Sequence, residues 1–376
     1  MSKPVKIVVV TDSFKGSMSA ERACDIIAET IMEYKPNAKV IVKPMADGGE
    51  GTAQAMIAAK SGKWIPETVM GPLPEMNVRA GFAWFKEEHK ALVEMASASG
   101  LELLTKQQLN PMKTTTYGTG QLIRSAIKHG ARKVLLAVGG SATVDGGAGA
   151  AMALGWSFLT ANGKVISLGG AGLSQLSRIV EPVELDLPPI EVLCDVDSSL
   201  CGEHGAAQVY GPQKGATTAM INRLESNLEH LASLIKQYLG RDVKDLPRGG
   251  AAGGLAAGSV AFMDAHLVSG IDALIRETCA EEEIKNADWV ITGEGTFDHQ
   301  SLRGKVVSGI ARIAQKHNTK VAVLAGQVMI SESDYLRLGI ITAISCKKPE
   351  MPLYYALENC RVLLRAATKE FVEHHL

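Results

Sequence analysis

Five short segments of the chain combine carboxylates with glycine, serine or lysine, and each follows an apolar run that is typical of a buried strand. They are residues 11–16 (TDSFKG), 46–52 (ADGGEGT), 139–147 (GGSATVDGG), 195–198 (DVDS) and 292–298 (TGEGTFD). Ligands of open α/β sheets bind outside the carboxyl ends of the strands. Glycine-rich turns bring backbone amides close to anions, and carboxylates hold divalent cations. The segments therefore suit a phosphate group together with a divalent metal ion.

Phosphoryl transfer needs cationic or amide groups for the phosphates, a carboxylate for Mg²⁺ and a further carboxylate that orients or deprotonates the acceptor hydroxyl. The chain offers each part, and its lysines nearest these segments are Lys15, Lys214 and Lys305. The sequence contains no GxxxxGK[ST], no GxGxxG, no protein-kinase catalytic loop and no GxSxG elbow. A nucleotide site in this chain would therefore be of another type.

Each of these residues also has a structural interpretation. An Asp or Ser that follows a strand often caps the next helix, because its side-chain oxygen accepts a hydrogen bond from a free backbone N–H. Ser13 or Ser19 could cap the first helix, and Asp145 could cap a helix over 146–154. A binding or catalytic role is favoured over a capping role only because several such segments occur in one chain.

The elements that must position these residues form two α/β domains. Strands are predicted at residues 6–10, 39–43, 288–292, 321–325 and 340–344. Because helical patterns alternate with these strands, they predict a doubly wound parallel sheet, Rossmann-like or flavodoxin-like. Both chain ends contribute to it, which gives a discontinuous domain over 1–72 plus 285–376.

The middle of the chain, 73–284, is predicted to be an inserted α/β domain. Its predicted strands are 79–85, 91–95, 134–138 and 191–194, and its predicted helices are 120–128, 146–154 and 218–239. Domain insertion leaves a cleft, and clefts between domains are common ligand sites. We therefore expect the active site in the interdomain cleft.

Composition excludes several classes of function. The 376 residues carry 39 basic and 40 acidic side chains, so the overall attraction that a nucleic-acid or membrane-surface binder uses is missing. Residues 5–10 are too short an apolar run for a signal peptide. The six cysteines are scattered and indicate neither a zinc site nor a disulfide framework. These features predict a cytoplasmic protein with small-molecule partners, without nucleic acid or membrane, and leave its oligomeric state open.

Six motifs resemble those of the class I bacterial glycerate kinases and occur in the same order. They are DSFKG at 12–16, ADGGEGT at 46–52, GGSATVDGG at 139–147, GPQKGA at 211–216, AAGG at 251–254 and ITGEG at 291–295. The resemblance implies ATP-dependent phosphorylation of D-glycerate to 2-phosphoglycerate with Mg²⁺. It also implies two domains with the site in the cleft between them.

With that resemblance we assign hypothetical roles. The predicted catalytic residues are Asp47, Asp195 and Lys15, and the predicted metal ligands are Asp195 and Asp197. The predicted substrate- or cofactor-binding residues are Asp12, Ser13, Gly48, Gly49, Glu50, Gly139, Gly140, Ser141, Asp145, Gln213, Lys214, Glu294 and Lys305. Asp47 would orient the hydroxyl, Lys15, Ser13 and the amides of 139–141 would hold the glycerate carboxylate, and Glu294 and Lys305 would face the nucleotide.

The chain departs from the family pattern at Thr11, where proline is usual, at Thr296, where arginine is usual, and over 301–303. Arginine binds phosphates and carboxylates through a planar fork, so its replacement at 296 bears on substrate preference. Arg303 could reach the same volume. The alternatives are therefore a kinase of another small hydroxy acid and a non-catalytic glycerate-binding sensor. A nicotinamide dehydrogenase is weakened by the missing dinucleotide fingerprint.

Overall fold

The computed structural model describes residues 4–46, 48–49, 51–302 and 305–376. The strands in these residues are β1 (Lys6–Thr11), β2 (Lys39–Val42), β3 (Lys63–Met70), β4 (Asn77–Phe85), β5 (Lys90–Glu94), β6 (Lys133–Ala137), β7 (Ser157–Leu159), β8 (Arg178–Val180), β9 (Ile190–Leu193), β10 (His266–Val268), β11 (Trp289–Gly293), β12 (Thr296–Phe297), β13 (Lys320–Ala325), β14 (Gln327–Val328) and β15 (Ile340–Ser345).

The α-helices in the described residues alternate with these strands. They are α1 (Ala20–Tyr34), α2 (Thr52–Lys60), α3 (Ala96–Ser99), α4 (Tyr117–Lys128), α5 (Ala148–Ala153), α6 (Ala206–Tyr210), α7 (Thr218–Leu239), α8 (Leu255–Met263), α9 (Gly270–Glu277), α10 (Ala280–Lys285), α11 (Val306–Lys316), α12 (Glu332–Leu336), α13 (Leu353–Glu358) and α14 (Cys360–His375). Short 3₁₀ helices occur at Lys86–Glu88, Leu101–Leu103, Gly172–Gln175, Pro212–Lys214 and Ala251–Gly254.

The chain forms two compact units. The described residues of 1–47, 54–61 and 271–376 make the first unit, and those of 48–53 and 62–270 make the second. The predicted domain bounds, 1–72 plus 285–376 and 73–284, stay a prediction, as does the interdomain location of the active site.

The first unit contains a parallel five-stranded sheet with the order β15-β13-β11-β1-β2. Counted within the unit this is 2-1-3-4-5, the flavodoxin-like doubly wound order. All five strands predicted from the two chain ends are present, so the predicted fold class is confirmed. The order reverses between β1 and β11, and ligands of such sheets bind at this reversal.

The first unit's core follows from its sequence pattern. The β1 residues Ile7 to Val10 are fully buried, because a parallel sheet is covered on both faces. Ser19 caps α1 as predicted, its side chain accepting a hydrogen bond from the backbone N–H of Arg22 at 3.2 Å. Trp289 of β11 packs edge-on against Phe371 of α14 at 5.1 Å between ring centroids. Helices α1 and α14 therefore pack on the sheet and stabilise the strands β1 and β11, whose ends carry two of the predicted segments.

The second unit contains a mixed six-stranded sheet with the order β10-β9-β6-β5-β4-β3. Strands β5, β6, β9 and β10 are parallel, whereas β3, β4 and β5 pair antiparallel. The four strands predicted for the middle of the chain correspond to β4, β5, β6 and β9. The sequence did not predict β3, because Pro66 interrupts its pattern, and proline is tolerated only at the edge of a sheet. The structure places β3 at that edge.

Within the described part of the chain, we find no helix whose length and apolar character would allow it to cross a membrane.

Candidate active site

A pocket of about 360 Å³ lies in the first unit at the carboxyl ends of β1, β11 and β13. Its lining residues include Asp12, Ser13, Phe14, Lys15, Gly16, Ser17, Glu294, Gly295, Thr296, Asp298, Lys305, Gly326, Gln327, Cys346, Lys347, Leu353, Ala356, Leu357, Cys360 and Leu363. The pocket therefore lies where the strand order reverses. It brings together five predicted site residues, Asp12, Ser13, Lys15, Glu294 and Lys305, from distant parts of the chain.

The loop after β1 is anchored to β11. The backbone N–H of Asp12 donates to the carbonyl of Gly293 at 2.9 Å, and the Asp12 carboxylate accepts from the N–H of Ser13 at 2.6 Å. Asp12 is buried, whereas Lys15 is exposed on the pocket lining. The fold thus holds a carboxylate at the sheet edge and leaves the lysine cation accessible to a ligand.

The loop after β11 is fixed by a short parallel pairing with the loop after β13. The N–H of Gly326 donates to the carbonyl of Glu294, and that of Gln327 to the carbonyl of Gly295, both at 3.0 Å. At Gly293 a side chain is excluded, because a Cβ would lie 1.9 Å from the carbonyl oxygen of Leu324. Glu294, only 8% exposed, is therefore held rigidly on the lining.

The lining continues to the start of α11. Lys305 caps this helix, and its backbone N–H donates to the Ser308 hydroxyl at 3.2 Å. Thr296 lies on the lining, so the departure from arginine noted in the sequence falls within this pocket. Arg303, which could compensate for it, lies outside the described residues.

The loop after β6 forms a second cluster, in the second unit. Lys214 is 1% exposed, and its Nζ donates to the Ser141 hydroxyl and to the Thr143 carbonyl, both at 2.7 Å. Burial lowers the pKa of Lys214 from 10.5 to about 7, opposed by the charge of Asp145. The two hydrogen bonds of Lys214 fix the loop that carries Ser141. Because its side chain is buried, Lys214 has this supporting role in the structure and leaves Ser141 nearer the surface.

Asp145 belongs to the scaffold of the same loop. It is 1% exposed, and its carboxylate accepts hydrogen bonds from the backbone N–H groups of Thr116 at 2.8 Å, Gly147 at 3.1 Å and Gly149 at 3.4 Å. Burial raises the pKa of this carboxyl, and those hydrogen bonds oppose the rise. The N-cap of α5 is Gly147, so Asp145 does not cap this helix as the sequence suggested; its buried carboxylate instead ties the loop to the start of α4 at Thr116.

Gly48 and Gly49 pass beside the end of β6. The N–H of Gly139 donates to the Gly48 carbonyl at 3.3 Å, and a Cβ on Gly139 would lie 2.4 Å from the Gly49 Cα. The backbone of the loop after β6 therefore lies directly against this segment, with no room for a side chain between them. Asp47 and Glu50, predicted from the same motif, lie outside the described residues.

Glu94 is a further carboxylate that the sequence reasoning missed. It ends β5, is 5% exposed, and its Oε1 accepts from the N–H of Ala53 in the first turn of α2 at 2.6 Å. The signal was available, because Glu94 is the next-to-last residue of a predicted strand, on the edge that carries the other acidic segments.

The predicted metal ligands follow β9 in the second unit. Asp195 is half-buried and accepts from the N–H of Gly270 at 3.0 Å, whereas Asp197 is exposed. Among the described residues, no group of three or more His, Cys, Asp or Glu side chains could hold a metal ion. Mg²⁺ in kinases needs only one or two carboxylates besides phosphate oxygens and water. Two carboxylates are chemically suited to Mg²⁺, and their assignment as its ligands stays a prediction.

The remaining predictions and omissions concern the surface. Gln213 is exposed in the 3₁₀ helix Pro212–Lys214, directly before Lys214, and its predicted role stays a prediction. Gln327 and Lys347 line the pocket but were not predicted, although each closely follows a predicted strand. The lining residues of α13 and α14 carried no such signal, because they lie on helices.

Comparison with known proteins agrees with this geometry. A profile of the glycerate kinase family matches residues 7–375. The chain is 42% identical over 367 residues to a glycerate kinase of Halalkalibacterium halodurans, covering 96% of each protein. It is 44% identical over 328 residues to glycerate 2-kinase of Escherichia coli K12, covering 86% of each.

A solved structure agrees in the same way. A crystal structure assigned to glycerate kinase 2 from Salmonella typhimurium LT2 superposes with a TM-score of 0.87 at 40% identity, covering 98% of both chains. Sequence motifs, sheet order and overall similarity lead to one conclusion. The chain belongs to the glycerate kinase family.

Proposed function

We propose that this kinase transfers the γ-phosphoryl group of ATP to the 2-hydroxyl of D-glycerate, giving 2-phosphoglycerate, ADP and the hydroxyl proton. Membership of the glycerate kinase family supports the reaction class. The name of the Escherichia coli relative, glycerate 2-kinase, supports the choice of hydroxyl.

The pocket at the reversal of the first unit's sheet is the observation that carries the proposal. Its lining combines three lysines, Lys15, Lys305 and Lys347, with the carboxylates of Asp12 and Glu294. Its volume of about 360 Å³ is in the range of small-molecule sites. The three lysines suit a triphosphate, whereas a three-carbon acid would fill only part of the pocket.

Lys305 and Lys15 would offset phosphate charge, which is the main task of a phosphoryl-transfer site. For Lys15 this replaces the contact with the glycerate carboxylate that the sequence led us to expect, because Lys15 lines the same pocket as Lys305 and Glu294. Asp195 and Asp197 are the proposed carboxylates for Mg²⁺, which when bound would supply positive charge against the charge that develops on the phosphoryl group. Asp47 keeps its proposed role of orienting the acceptor hydroxyl.

Ser141 is the proposed contact of the glycerate carboxylate. Because its oxygen accepts the hydrogen bond from Lys214 at 2.7 Å, the hydroxyl proton is left to donate elsewhere. The Ser141 hydroxyl and the neighbouring glycine amides can each donate a hydrogen bond to a small carboxylate, and Lys214 fixes the position of that hydroxyl.

Phosphorus NMR of the products from ATP, Mg²⁺ and D-glycerate tests the reaction directly. We expect the 2-phosphate ester; the 3-phosphate would refute the regiochemistry. An ADP-release assay over a panel of hydroxy acids tests the substrate, and a better substrate than D-glycerate would favour the alternative kinase. Binding of D-glycerate without ADP release would favour the sensor.

Replacement of Lys15 tests the nucleotide pocket. We expect Lys15→Ala to lower kcat/KM for ATP by about 10- to 100-fold, the value of one charge-assisted hydrogen bond. Lys39→Ala is the matched control, because Lys39 is exposed at the opposite end of the sheet, at the start of β2. Equal kinetics for both variants would remove Lys15 from the site.

A further inference from the structure

Helix α13 is mostly apolar, but its residues are exposed or only partly buried. None of its residues, all of which the structure describes, is buried, and Leu353 and Leu357 are 63% and 39% exposed. A helix this short has no stability of its own in water, and helices in proteins are stabilised by burying an apolar face. This face of α13 therefore lacks the covering that its composition calls for.

The same face lines the pocket. Helices α13 and α14 contribute Leu353, Ala356, Leu357, Cys360 and Leu363 to the lining, which we call the helical wall. The strand-end loops contribute the charged lining residues instead. The two parts adjoin at the start of α14, where the Cys360 sulfur lies 4.0 Å from the carbonyl oxygen of Ser17. One pocket thus joins a charged part to an apolar part.

We propose that the helical wall is the subsite for the base of the donor nucleotide, with the phosphates on the strand-end loops. This inference rests on the proposed use of ATP. A nucleotide has the same division as the pocket, an aromatic ring with apolar faces joined to a multiply charged chain. Glycerate carries a polar group on every carbon and offers nothing for leucine side chains to cover.

Cysteine alkylation tests this placement on the unaltered protein. Cys360 is partly exposed on the helical wall, and Cys279, exposed elsewhere in the first unit, is an internal reference. Cys346 also lines the pocket but is buried, and burial raises its thiol pKa to about 12, so it should react slowly. The rate at each cysteine is followed by mass spectrometry during treatment with N-ethylmaleimide.

We expect ATP with Mg²⁺, at ten times its Kd, to slow the reaction of Cys360 about tenfold and to leave Cys279 unchanged. Tripolyphosphate with Mg²⁺ lacks the base and should protect Cys360 much less. Protection by tripolyphosphate equal to that by ATP would overturn the inference, as would an unchanged rate at Cys360 with ATP bound.

Leu357→Asp tests the wall kinetically. It should raise KM for ATP about tenfold, the factor that corresponds to about 1.4 kcal/mol, and leave KM for D-glycerate unchanged. The matched control is Leu336→Asp, on α12, because Leu336 is 50% exposed and outside the lining. Leu336→Asp should change neither constant.

The outcomes separate this inference from the proposed function. If the protein phosphorylates D-glycerate with ATP while Leu357→Asp keeps its KM for ATP, the base subsite is refuted and the function stands. If the protein shows no turnover, the function fails, and protection of Cys360 by ATP still decides where the base binds.

Discussion

The buried amine of Lys214 makes a quantitative prediction about stability and pH. Its pKa is lowered by burial to about 7 from 10.5. Between these pH values the unfolded chain binds a proton at Lys214 that the folded chain does not, so the free energy of unfolding rises with pH. From pH 7 to pH 9 this contribution amounts to about 2 kcal/mol.

Lys214→Met removes the titrating group and keeps an unbranched side chain of similar length. The variant loses the donors to the Ser141 hydroxyl and the Thr143 carbonyl, each 2.7 Å from Nζ, and two unpaired acceptors cost about 1–3 kcal/mol each. That loss is nearly independent of pH, because a neutral amine still donates both hydrogen bonds. The wild-type protein should therefore gain about 2 kcal/mol over the variant between pH 7 and pH 9.

Urea unfolding at the two pH values measures this difference. Trp156 is 5% exposed and packs edge-on against Phe262, with 5.2 Å between the ring centroids. Its fluorescence reports on the folding of the second unit. Lys128→Met, at the exposed end of α4, controls for the loss of any lysine. If the gap between wild type and Lys214→Met is the same at both pH values, Lys214 does not have the lowered pKa and the reasoning is refuted.

Two further predictions concern the loops that carry the site. Asp145→Ala leaves the buried N–H groups of Thr116 and Gly147 unpaired; because removing a buried carboxylate offsets part of that cost, we expect about 3 kcal/mol of destabilisation in urea unfolding. Gly293→Ala should destabilise the first unit by about 3 kcal/mol or abolish its folding, because its Cβ would lie 1.9 Å from the Leu324 carbonyl oxygen.

The stability of each variant is measured against its own control or with its own fluorescence probe. Asp145→Ala is compared with Asp186→Ala, an exposed carboxylate of the same unit, and equal stabilities would contradict the role of Asp145 in supporting the loop. Gly293→Ala is followed through Trp289 in the same strand, which is 5% exposed. A wild-type urea midpoint there would mean that β11 and β13 do not approach as closely as the structure shows.

Much of the first unit could be predicted, because parallel strands buried on both faces leave continuous apolar runs. The runs at 6–10 and 288–292 became β1 and β11, and the polar residues that followed them became the pocket lining. Strand β3 could not be predicted in the same way. Val69 is its one buried residue, the others are exposed or partly buried around Pro66, and its pairing with β4 defines it as a strand.

The site was predictable where its residues follow strands and not where they act through tertiary contact. Residue type and position placed Asp12, Lys15 and Glu294 in one pocket. The same reasoning could not show that Asp145 and Lys214 are buried supports, because burial depends on which helices pack over the loop. It also missed Leu357, because an exposed leucine on a helix has no strand end to mark it.

Pro66 has a consequence beyond the fold of β3. This strand lies at one edge of the second unit's sheet, with β10 at the other, and an open edge is a template to which another molecule can add a strand. Proline has no N–H to donate, so a complete hydrogen-bonded ladder cannot form along β3. Pro66 therefore disfavours the addition of a further strand along β3.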